Sequence, residues 1–240
     1  MMTLKRAKVV TGHGKSLGKT TKMTLKRAKE ITGHGKSLGK TTKMPGYSTG
    51  LPARACKTGA KLHKIPGSVC AVCYALKGNY MFKNVQDSQY KRLDALDNPE
   101  WVSGMVRLVG HYTDVLDPYF RFQDSGDLQS VPHLLNIVAV ARELPWVKFW
   151  VPTKEPGIVM KTVRMLGGWQ NMPTNLVIRV SVFMKGDAPP KEWVERFKTT
   201  SSVNWDDSPN QCPAYKQDGA CGSCRNCWDP EVSNVNYPAH

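Results

Sequence analysis

The sequence predicts an α/β protein of parallel β/α repeats, folded as a partial (β/α) barrel with cysteine-rich metal-binding loops and a disordered basic N-terminal tail. Three observations lead there. Strand and helix patterns alternate through the middle of the chain, seven cysteines stand in two groups, and the first 43 residues are a doubled basic repeat. Residues 119–123 (YFRFQ), 147–151 (VKFWV) and 176–183 (LVIRVSVF) are short runs rich in β-branched and aromatic residues. Residues 131–144, 156–166 and 190–198, which follow them in turn, carry apolar residues at helical spacing. Strand, helix and strand at that spacing is the pattern of parallel βαβ units, and a doubly wound sheet fits it as well. Upstream, Pro99-Glu100 opens a helix marked by Val102, Met105, Val106 and Val109. Residues 44–55 read as a loop or short strand, and 74–96 as a stretch of mixed helical character.

The chain has 240 residues and a formal net charge of +15. No run approaches the roughly 18 uninterrupted apolar residues of a membrane span. The N-terminus lacks the apolar region and cleavage site of a signal peptide, so the expectation is a cytoplasmic protein with no membrane partner. Residues 2–22 and 23–43 are the same 21-residue repeat, differing only at Val9/Glu30 and Val10/Ile31. Residues 1–43 hold 12 Lys or Arg against one acid, while residues 44–240 hold 22 against 18. The repeat therefore reads as a flexible basic tail, able to make weak salt-dependent contact with nucleic acid. Its GHGKSLGKTT imitates a phosphate-binding P-loop, but His13 and His34 stand where the first Gly belongs and no apolar strand precedes either copy. The expected division is a tail at 1–43, a β/α domain with the first cysteine group at 44–205, and a C-terminal cysteine-rich segment at 206–240 that packs on the same domain.

Cys56, Cys70 and Cys73 lie early; Cys212, Cys221, Cys224 and Cys227 lie late, the last three as CxxCxxC. An odd count without a secretion signal argues against a disulfide framework. Close CxxC spacing lets thiolates converge on one ion or cluster, so all seven are candidate metal ligands. The late group has the four thiolates of a structural zinc site, yet successive two-residue gaps are commoner around [4Fe–4S] clusters. The early group has three, so either His63, Asp124 or Asp127 completes it or one iron stays open. Cys212 could serve either group.

The strand ends are polar, and in β/α folds chemistry gathers at the carboxyl ends of the strands. Asp124, Asp127, Lys154 and Glu155 are the cleft candidates, with Arg179, Ser181 and Lys185 on or just beyond the next strand. Asp124-Ser125-Gly126-Asp127 also reads as a helix-entry turn. His111 and His133 read as satisfied or surface histidines, and the seven Trp as core. Trp228, directly after Cys227, reads as a shield over a cluster.

Three thiolates that leave one iron open, at the start of a β/α sheet, resemble the radical S-adenosylmethionine (SAM) enzymes. That resemblance implies a SAM-cleaving cluster at Cys56, Cys70 and Cys73, SAM-binding roles for Gly126, Asp127 and Ser181, and an auxiliary cluster on the late cysteines. The first cysteine gap is thirteen residues, where that family has three. The segments MPGYSTGLPARACKTG, KIPGSVCAVCYALKGNY, FRFQDSGDLQSVPHLLNI, FWVPTKE and CGSCRNCWD are similar to the phage gene-product-88 proteins. This second resemblance implies a phage or prophage origin and the host cytoplasm, and it does not extend to residues 1–43. The expectation is an iron–sulfur protein with one or two clusters, and in its sharper form a radical-SAM-like enzyme. The alternative is a zinc-stapled nucleic-acid-binding protein that uses the tail as an arm.

Overall fold

The computed structural model describes residues 23–41 and 44–238. Six strands form one sheet: β1 (Tyr47–Thr49), β2 (Tyr119–Phe122), β3 (Lys148–Thr153), β4 (Leu176–Ser181), β5 (Thr200–Val203) and β6 (Asn234–Tyr237). All neighbours are parallel, and the spatial order follows the chain. Because that order never reverses, the doubly wound arrangement is excluded. The sheet does not close, and β1 and β6 are its edges.

Sequential right-handed crossovers place their helices on one face of a sheet. Here these are α4 (Trp101–Tyr112), α5 (Val131–Glu143), α6 (Pro156–Met165) and α7 (Lys191–Phe197). Alternation turns Phe120, Phe122, Phe149, Val151, Ile178 and Val180 toward them, and these side chains with the apolar stripes of the helices make the main core. Phe120 registers against Phe149, and the rings of Phe120, Phe122 and Phe149 lie 5.0–5.9 Å apart. Each such side chain contributes about 1.5–3 kcal/mol on burial. The predicted strands and helices at 119–198 are thus present, and the crossover from β5 to β6 contains no α-helix.

Apolar patterning does not reveal β5 and β6, because their stability comes from polar pairing. Ser202 Oγ donates to Asn236 Oδ1 at 2.9 Å, Asn234 Nδ2 donates to Ser202 Oγ at 2.9 Å, and Thr200 Oγ1 donates to Asn234 Oδ1 at 3.0 Å. All four side chains are buried. Each is satisfied by its neighbour across the strands, which removes the cost of leaving it unpaired.

The second copy of the repeat is not a disordered tail. Thr24 caps α1 (Leu25–Ile31) by accepting from the Arg27 amide, and Ala28 and Ile31 are buried against α4. Gly104 of α4 makes this possible: a Cβ there would lie 2.6 Å from Thr32 and 2.8 Å from Ile31. Downstream, His34 is buried between Thr32 and Thr49, Leu38 joins the main core, and Gly39 pairs antiparallel with Ser48 along the open side of β1. The charge count concealed this, because the Lys and Arg side chains stay outside while a few small apolar residues are buried. Residues 34–41 follow a helix rather than a strand, as the P-loop objection expected. The first copy lies outside the described residues. No helix among the described residues is long and apolar enough to cross a membrane.

Candidate functional site: a cysteine-lined cleft

The inner face of the sheet carries Tyr119, Arg121, Trp150, Arg179, Ser181, Ser201 and Tyr237, a polar and aromatic set opposite the apolar outer face. Among the described residues, the lower half of this face is closed by the late cysteine segment and its upper half opens into a cleft of about 620 Å³. Cys56, Cys70, Cys73, Asp124, Gly126, Asp127, Lys154, Ser181 and Lys185 all line that cleft. The fold thereby brings together most of the residues singled out from the sequence.

The early cysteines are presented by the long excursion between β1 and β2. Cys56 precedes α2 (Lys57–Leu62); Cys70 lies within, and Cys73 ends, a short 3-10 turn capped by Ser68. Ser68 Oγ accepts from the Ala71 amide at 3.0 Å and donates to the Leu62 carbonyl at 2.5 Å, tying the turn to α2. Gly59 leaves room between the sulfurs: a Cβ there would sit 3.6 Å from both Cys56 Sγ and Cys70 Sγ. His63, a candidate fourth ligand, uses Nδ1 on the Cys70 carbonyl at 2.9 Å and so braces the turn. Burial pushes the Cys56 thiol up to about 12, with Asp127, Cys73, Cys70 and Glu155 adding to it, and burial raises Cys70 too.

Two of the candidate acids are ties between elements. Asp127 accepts from Thr153 Oγ1 at 2.6 Å, the Leu128 amide at 2.7 Å and the Lys154 amide at 2.8 Å, locking the end of β2 to the end of β3. Burial raises its carboxyl to about 6 against the opposing effect of those bonds. Asp124 accepts from Ser48 Oγ at 2.6 Å, and Gly50 must be glycine because a Cβ would fall 1.9 Å from Asp124 Oδ1. Gly126 turns the chain at φ +70° with Leu51 packed against it. The helix-entry role expected of this turn falls instead to Ser130, which accepts from the His133 amide. Glu155 does not line the cleft. Its Oε1 accepts from the Thr58 amide at 2.8 Å, in the first turn of α2. Lys154 does: Nζ donates to the Val182 carbonyl at 3.1 Å among Cys70, Asp127, Cys73 and Cys56, whose charges oppose the lowering of its pKa by burial. Ser181 bonds to Ser201 at 2.9 Å.

The late cysteines are one another's neighbours. Burial raises Cys221, with Cys212 and Cys224 adding to it, and burial raises Cys227 to about 12 despite Tyr237, Arg179 and Arg121 beside it. Cys212, whose amide bonds to Asn236 of β6, belongs here rather than with the early group. Tyr237 Oη lies 3.1 Å from Cys227 Sγ. Arg179 is the staple: its guanidinium donates to the carbonyls of Cys227, Thr200, Val232, Asn226 and Asp229 at 2.6–3.3 Å, using all five N–H groups. Trp228 donates to the Phe120 carbonyl at 3.0 Å and packs on Tyr119 and Trp150.

Sequence reasoning missed Arg121. It stands over the Trp150 ring at 4.5 Å, and Tyr74, Asp124, Tyr237 and Cys227 hold it charged against burial. The signal was available, since alternation in YFRFQ sets it opposite Phe120 and Phe122. Among the described residues five buried side-chain atoms lack a hydrogen-bond partner, and three of them belong to this cleft: Arg121 Nε, Gln123 Oε1 and Trp150 Nε1. These three atoms lie sealed within the wall of the cleft.

All seven cysteines are free thiols. Among the described residues no three His, Cys, Asp or Glu side chains close on one point as a single metal ion requires. No curated protein and no solved structure matches the chain. A family profile, gene product 88, matches residues 16–230, which takes in the second repeat copy and extends the expected resemblance toward the N-terminus. The chain therefore belongs to the gene product 88 family of phage proteins.

Proposed function

We propose that this chain is an iron–sulfur protein with a partial-barrel fold. Cys56, Cys70 and Cys73 hold a [4Fe–4S] cluster at the cleft, and Cys212, Cys221, Cys224 and Cys227 hold a second beneath it. In the sharper form of this reading the cleft cluster acts on SAM in the radical-SAM manner. The observation that carries the proposal is the separation of the seven cysteines into three that line the cleft and four that neighbour one another in the late segment, Cys221 and Cys227 of them packed against the Trp228 cluster. The donor set fits. Thiols held near 12 are protonated and inert at neutral pH, which speaks against direct thiol chemistry, whereas a metal ion displaces the proton and inverts that preference. A lone zinc draws its sulfurs to within about 3.8 Å of one another given Zn–S bonds of about 2.3 Å. A cluster instead spreads its thiolates over separate irons.

A three-thiolate cluster supplies one electron and an open iron to a chelating ligand. The protein's own residues supply the rest. Lys154 sets a positive charge among the early thiolates, and Arg121 and Arg179 do so beside Cys227. Tyr119, Trp150 and Trp228 pack about Cys221 and Cys227, and Ser181, Gln123 and Arg121 line the cleft. Asp127 positions β2 and β3, its carboxylate already holding three donors.

Anaerobic purification with iron, sulfide and zinc assays tests this. Two clusters require about eight irons and eight sulfides per chain. Cys70→Ser and Cys224→Ser should each remove about half. Electron paramagnetic resonance should respond to added SAM in the wild type and in Cys224→Ser but not in Cys70→Ser. Stoichiometric zinc without sulfide would overturn the proposal.

A further inference from the structure

The charge of the body is concentrated around the cleft mouth. Residues 53–92 carry eight Lys or Arg against the single acid Asp87, while the remainder of 44–240 carries 14 against 17. This excursion arches over the carboxyl ends of the strands. Gly67 and Ser68 meet Lys185 and Met184 beyond β4, and Tyr74 Oη donates to the Asp124 carbonyl beyond β2. Lys57, Lys61, Lys64, Lys77 and Lys83 are exposed along it, and between them it exposes Ile65, Val72, Tyr74, Met81 and Phe82. Val72 and Tyr74 also line the cleft, and Tyr80 packs edge-on to Tyr74 just inside.

We propose that this rim binds single-stranded nucleic acid and directs one nucleotide into the cleft. Alternating cations and exposed rings are how single strands are held: the cations follow the phosphates while the bases stack. Asp124 and Asp127 line the cleft, but their carboxylates already accept from serine, threonine and main-chain donors, and Glu155, held by the Thr58 amide, lies outside it. A cleft of about 620 Å³ accommodates a nucleotide, and Tyr74, Tyr80 and Trp150 line it with rings on which a base can stack. An acidic protein would match the charge but leaves the deep aromatic hollow unfilled. The cleft is also lined by Cys56, Cys70 and Cys73, but the rim residues tested below are not cysteines, so loss of rim binding is read separately from loss of iron and sulfide.

Fluorescence anisotropy of a labelled oligo(dT) of about 20 nucleotides with the full chain, purified anaerobically, tests it. Single strands should bind more tightly than duplex of equal length, with affinity falling steeply as salt rises. Phe82→Ala should weaken binding about tenfold through lost stacking. Lys61→Glu and Lys77→Glu should each weaken it and flatten the salt dependence by about 0.7 of a log unit per log unit of salt. Lys161→Glu, on the exposed side of α6, should change it less than twofold. Absence of binding at low salt, equal binding of duplex, or equal competition by poly-L-glutamate would overturn the proposal. So would unchanged binding in the rim variants together with its loss on deleting residues 2–22.

Discussion

The early and late cysteine groups share one face of one sheet and differ in how the chain closes around them. The late group is stapled: Arg179 grips the backbone of its segment through four carbonyls, and Cys221 and Cys227 pack against the cluster that Trp228 forms with Trp150 and Met44. The early group is held only at its shoulders, by the Ser68 cap, the Glu155 contact with α2 and the His63 brace, and its sulfurs border open cleft. A guanidinium with every donor occupied fixes a loop in one position. A thiolate set with room beside it can accept another ligand. The same contrast separates the two arginines, since Arg179 is saturated and Arg121, two strands away, retains a sealed Nε without a partner.

The largest expected effect comes from breaking the Arg179 staple. Arg179→Met should leave five carbonyls without their donor and destabilise the protein by about 3–5 kcal/mol in denaturant titrations. Thiol-labelling rates should rise at Cys212, Cys221, Cys224 and Cys227 and stay level at Cys56, Cys70 and Cys73. Equal acceleration at all seven would erase the distinction between the groups.

Acid should act on the open side instead. His34 and His133 are held neutral by burial, at about 3 and about 4, and both support the β1–β2 half, against Thr49 and Gln129. An unfolded histidine titrates near 6.5, so below that pH the unfolded chain takes up protons first and native stability falls. The loss amounts to about 2 kcal/mol per histidine near pH 5. Asp127, raised to about 6, opposes this, because its native carboxyl protonates first and regains a smaller amount over the same range. Amide exchange near pH 5 should therefore accelerate around β1 and α5 before it does around β6.

Smaller changes sharpen the comparison further. Glu155→Ala should cost about 1 kcal/mol by freeing the Thr58 amide at the start of α2, and should raise labelling of Cys56 without touching the late group. Arg27→Ala removes an exposed pair with Glu100 and should change stability by less than about 0.5 kcal/mol. A much larger loss would mean that the second repeat copy is held by its charges rather than by Ala28, Ile31 and Leu38.

Much of the fold was legible because burial writes itself into local pattern. YFRFQ, VKFWV and LVIRVSVF alternate or run apolar because one face of each strand meets a helix, and CxxC spacing is local chemistry by nature. β5 and β6 were not legible, since Thr200, Ser202, Asn234 and Asn236 stabilise their strands by bonds to each other. Nor was the helix in the second repeat copy, where three small contacts outweigh a strongly basic composition.

The sequence by itself determined a parallel β/α protein with two cysteine groups and a polar set of strand ends, because periodicity and spacing are properties of neighbours along the chain. Only the tertiary structure decided that Cys212 joins the late group, that Asp127 and Glu155 serve as ties, and that Arg121 faces the cleft with an orphaned donor. Those outcomes depend on which distant backbone groups reach a side chain first. Arg179 and the segment it grips are 47 to 53 residues apart, and only the folded sheet brings them together.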